Sequence, residues 1–139
     1  MGSVGFFYRA AFLGSDVKLP AVQRNIGAIT VDVRDMARVH ILACFAPFAR
    51  DSNFGRKRIL VGGPRYTIAD AIQHLRQARP ELTPRLADPS DALPQAIARL
   101  DDSKLQGVLQ FGEFIPWKVT VEDMVDAIVS IERQWDVLF

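Results

Sequence analysis

The apolar positions of this chain recur at helical spacing in three places and form short β-branched runs in two others. From Ala28 to Val33 the run Ala-Ile-Thr-Val-Asp-Val is β-branched and partly alternating, which predicts a strand. Asp35 then supplies an N-cap for a helix from about Met36 to Ala46, stopped by Pro47. In that helix only Arg38 and His40 are polar, so it needs cover on more than one side and fits best against a larger sheet. Ile59-Leu60-Val61 predicts a second strand, broken by Gly62-Gly63-Pro64. Thr67 begins the next helix with Asp70 as a capping-box partner; Ile68, Ile72 and Leu75 form its stripe beside Ala71 and Ala78, and Pro80 ends it.

Pro80, Pro84, Pro89 and Pro94 make residues 80–100 a wandering segment. A short helical turn is expected near Asp102 to Leu105, with Gly107 close to its end. The last helix is predicted with Thr120 as its cap, Asp123 at the third position, and Met124, Ile128, Ile131 and Trp135 on one face. Residues 1–27 have weak periodicity and read as an irregular segment; residues 28–139 read as one α/β domain in the order βα, βα, α. There is no internal repeat.

Composition narrows this only slightly. With 139 residues the chain can bury a core without staples, and 49% hydrophobic with 24% charged residues is ordinary for a globular domain. A net charge of +1 gives no argument for nucleic acid or an anionic membrane as partner. One cysteine forms no internal disulfide, and with two distant histidines it makes no zinc-type spacing, so no metal is expected. The stretch from Gly2 to Leu13 fits a signal peptide poorly, because Arg9 interrupts it and no basic leader precedes it. It is also too short to span a bilayer, and Phe6 stands where myristoylation wants Ser or Thr. The expectation is a cytoplasmic protein.

Candidate chemistry is thin. Gly2-Ser3-Val4-Gly5-Phe6 is the only run like a dinucleotide turn, but no strand precedes it and Tyr8 stands where a third glycine belongs. A tyrosine acid aided by a lysine four residues on is also missing, since Phe12 follows Tyr8 and Asp70 follows Tyr66 at that distance. Arg50, Arg56, Lys57, Arg58 and Arg65 surround one strand and read as a solvated loop, with phosphate or nucleic-acid binding as the sharper alternative. His40 reads as a core histidine with a backbone partner, Asp70 and His74 as a surface i, i+4 pair, Asp101 and Asp102 as caps, and Cys44 as a buried, inert thiol. No catalytic, cofactor-binding or metal-ligating residue is assigned.

The block Thr30-Val31-Asp32-Val33-Arg34-Asp35-Met36-Ala37-Arg38-Val39-His40-Ile41-Leu42-Ala43 resembles a signature of the extended short-chain dehydrogenases/reductases, within the NAD-dependent epimerase/dehydratase family. It looks most like the dihydroflavonol-reductase, cinnamoyl-CoA-reductase and fungal aldehyde/ketone-reductase branch. Further elements follow in that family's order: Lys57 to Val61, Tyr66 to Leu75, Pro80-Glu81-Leu82, Asp102-Ser103-Lys104, and Val121 to Ile131. The resemblance covers about residues 28–135. Where the family has Leu-Gly-Phe after its Ser-Lys element, Leu109-Gln110-Phe111 stand here. The family's epimerases place an Arg-Asp-aromatic triplet where Ala28-Ile29-Thr30 stand, which disfavours a sugar-nucleotide substrate.

The resemblance implies the C-terminal, substrate-side portion of a Rossmann-type reductase, without the dinucleotide-binding half. It implies NADP or NAD for the intact enzyme, acting on aldehydes or ketones in secondary metabolism, and no activity in this chain alone. The alternative is a non-catalytic pseudoenzyme or interaction module, joined to a protein partner or to itself through exposed apolar surface, with neither nucleic acid nor membrane as partner.

Overall fold

The structure is a computed structural model, and it describes residues 3–19, 27–46, 59–90 and 100–136. In chain order the described elements are α1 (Ser3–Ala11), β1 (Gly27–Ile29), α2 (Val33–Phe45), β2 (Arg65–Thr67), α3 (Ile68–Ala78), a 3-10 helix (Pro80–Arg85), α4 (Ser103–Leu109) and α5 (Trp117–Asp136).

The nine-residue helix α1 lies within the stretch expected to be irregular. It forms because Phe7, Ala10 and Ala11 share one face and are buried in the main core. Short length hid its period. The chain after it is strapped to the segment following the 3-10 helix: Gly14 N–H donates to Arg85 O at 2.8 Å, Ala87 N–H to Ala11 O at 2.8 Å, and Leu19 N–H to Asp88 O at 2.9 Å.

β1 and β2 pair antiparallel, with Ala28 opposite Tyr66. The first strand is therefore shorter than the expected Ala28–Val33, and the expected strand at Ile59-Leu60-Val61 is not one. Strand residues need a hydrogen-bonded neighbour, and the partner that reaches β1 is Arg65–Thr67. Ile59 and Val61 instead pack beside a small second core. At Gly63 a Cβ would stand 2.4 Å from the Thr30 carbonyl oxygen, so only glycine lets the two segments approach this closely.

α3 forms as its pattern predicts. Thr67 and Asp70 make the reciprocal capping box, and Ile68, Ala71, Ile72 and Leu75 are buried. Val121 and Val125 of α5 complete that core. The stripe on α5 is rotated from expectation: Ile131 and Trp135 are exposed, while Met124 and Val129 pack at the core's edge. The helix also begins earlier, at Trp117, with the Pro116 carbonyl accepting from Val119 and Thr120 N–H. Thr120 thus lies inside the first turns and does not cap.

The second core joins Val39 of α2 to Leu105, Leu109 and Phe111. α4 runs through Gly107 and stops at Gln110, which adopts the left-handed conformation (φ 48°, ψ 38°) and donates its N–H to Gln106 O. The turn is retained although glutamine occupies it. A side chain in this region costs about 1–2 kcal/mol, partly offset by glycine's greater freedom when unfolded. Gln110→Gly is therefore expected to raise stability by up to about 1 kcal/mol in urea denaturation; lower stability would show that the Gln110 side chain makes a compensating contact.

Candidate functional site

The most ordered polar region lies where α2 starts. Asp32 caps α2: its Oδ1 accepts from Arg34 N–H at 2.9 Å. Arg34 folds back with Nε and Nη2 on the same carboxylate, and its Nη2 also reaches Asp123 of α5 at 2.7 Å. The Thr120 hydroxyl donates to Asp32 Oδ2 at 2.8 Å. Arg34 first, with Thr120 assisting, holds the Asp32 carboxyl well below the usual carboxylate range, against the opposing effect of burial.

Asp35, expected to be the cap, lies within the first turn of the helix and is fully buried. Its two oxygens are taken by Arg38 Nη1 at 3.0 Å and by the backbone N–H of Ile115 at 2.8 Å. Asp32 wins the cap because its side chain reaches the free N–H groups at the true helix start. Asp35 points into the protein, where a carboxylate must find donors. The sequence signal was present as two aspartates flanking an arginine at the start of a helix. Which of them turned inward depends on where residues 111–116 run.

The body of α2 is the largest departure from expectation. Only Asp35 and Val39 are buried; Val33, Ile41, Leu42, Phe45 and Cys44 are exposed. His40 is exposed too, and its Nδ1 donates to Met36 O at 2.7 Å, so it has a backbone partner but no place in the core. Beside this bare face runs an open groove of about 400 Å³. Met36, Val39, His40 and Ala43 form one wall; Ile59, Leu60, Val61 and Leu109 form the other. The groove can receive an apolar group, with one imidazole on its rim. Among the described residues, its lining includes no carboxylate, lysine or nucleophile for proton transfer or attack.

The remaining candidates are dispersed. His74 does not pair with Asp70, which is committed to the Thr67 capping box; its Nε2 instead meets Glu122 Oε1 at 2.8 Å. Tyr66 is buried against Trp117, and burial pushes its hydroxyl upward. Tyr8 bonds to Glu132, which also accepts from Arg85 at 2.7 Å. The hydrogen bond to Glu132 raises the Tyr8 hydroxyl. Asp101 accepts from Ser103 N–H at 3.1 Å, while Asp102 occupies the cap position without a side-chain bond. Of the basic cluster only Arg65 is described; Arg50, Arg56, Lys57 and Arg58 lie outside the described residues. No group of three or more His, Cys, Asp or Glu residues among those described could hold a metal ion. No described helix is long and apolar enough to cross a membrane.

Two helix starts are closed to a pyrophosphate. A pyrophosphate needs free N–H groups at a helix N-terminus. The starts of α2 and α3 are filled by the chain's own Asp32 and Asp70 carboxylates, which would also repel an anion.

No family model matches the chain. A curated relative from Candida albicans, named "Putative NADPH-dependent methylglyoxal reductase", is 32% identical over 110 residues, covering 76% of this chain and 30% of that protein. The solved yeast methylglyoxal/isovaleraldehyde reductase, complexed with NADPH, superposes on 94% of this chain and 40% of its own (TM-score 0.60, 23% identity). A reductase engineered to attenuate substrate inhibition in asymmetric catalysis covers 91% of this chain and 35% of its own (TM-score 0.58, 23% identity). The chain thus spans about a third of the length of these reductases, and the two solved structures establish the fold.

Two outcomes follow from the carboxylates. Asp35→Asn presents an NH₂ to donors, and is expected to cost roughly 1–3 kcal/mol of stability in chemical denaturation; an unchanged midpoint would refute the buried role. Asp32, Glu122, Asp126 and Glu132 are all held low by hydrogen-bonded partners. Their stabilisation is present above the unfolded carboxylate value and is lost as pH falls through the folded ones. Stability measured by urea titration is therefore expected to decline below about pH 4, with a shallower decline in Asp32→Asn.

Proposed function

Because this chain belongs, as a partial-length member, to the extended short-chain dehydrogenase/reductase family, we propose that it forms the substrate-side portion of an NADPH-dependent reductase of aldehydes and ketones. In this reading hydride transfer depends on residues outside this sequence. The sequence has no tyrosine with a lysine four residues on, and no Gly-x-Gly-x-x-Gly or Gly-x-x-Gly-x-x-Gly spacing. No step of the reaction is assigned to its side chains.

The observation that carries the reading is α2. It is held firmly at its first turn and bare along its body. Val33, Ala37, Ile41 and Phe45 recur every four residues, which gives one continuous exposed stripe. Fully burying a residue such as Ile41 or Phe45 contributes about 1.5–3 kcal/mol. A face of this kind suits a second packed layer, and a nucleotide-binding portion is the layer that the relatives' greater length supplies.

The same bare face supports a second reading, a non-catalytic chain that associates through it with itself or with another protein. The two separate experimentally. The purified chain is expected to leave NADPH unconsumed with methylglyoxal and other carbonyl substrates. Co-expression with the nucleotide-binding portion of the Candida albicans relative is expected to restore turnover, and Phe45→Glu to abolish that rescue. Turnover by the chain alone would overturn the proposal. Failure of rescue together with a concentration-dependent dimer in size-exclusion chromatography would favour the second reading.

A further inference from the structure

We draw no further inference here: the strongest candidate, the open apolar groove between α2 and residues 59–61, belongs to the face already described, and nothing in the structure shows a separate occupant for it.

Discussion

A fully buried carboxylate has to find hydrogen-bond donors, and in this protein that requirement at Asp35 decides where the chain goes after α4. The donors are Arg38, one turn further along α2, and the backbone N–H of Ile115, eighty residues away in sequence. Fixing Ile115 fixes Pro116, whose carbonyl starts α5. α5 in turn brings Thr120 and Asp123 back to Asp32 and Arg34. Arg38 also lies over the Phe111 ring at 4.9 Å, tying the polar cluster to the second core. The start of α2, residues 111–116 and the start of α5 thus stand or fall together.

This arrangement leaves α2 unevenly supported. Its N-terminal turn is fastened by two carboxylates, and Val39 anchors one side of its body. The rest of its apolar surface faces outward beside the groove. The main core, around α1, α3 and α5, is by contrast well enclosed, with Ile72, Leu75, Val121 and Val125 fully buried. Such a contrast within one short chain is what a portion of a larger α/β fold looks like, and these solved reductases, two to three times as long, have that fold.

Kinship and chemistry part company here. The Asp-Val-Arg-Asp block and the helix after it carry the family resemblance, yet each polar residue in it has a mechanical role. Asp32 caps, Asp35 ties down residues 111–116, Arg34 reaches α5 and Arg38 closes the buried pair.

By itself the sequence determined the local elements whose signals lie within a few residues of one another. The Thr67–Asp70 capping box and the stripe of α3 are the clearest cases, together with the order of family motifs. Tertiary structure decided whatever depends on a distant partner. It chose Asp32 over Asp35 as the cap, gave β1 its partner at Arg65–Thr67, turned His74 to Glu122, and rotated the buried face of α5 toward Val121 and Val125. It also placed Cys44 and most of α2 in the open, where an apolar pattern alone predicts burial. Periodicity records which face of a helix seeks cover, but only the assembled neighbours determine whether cover is there.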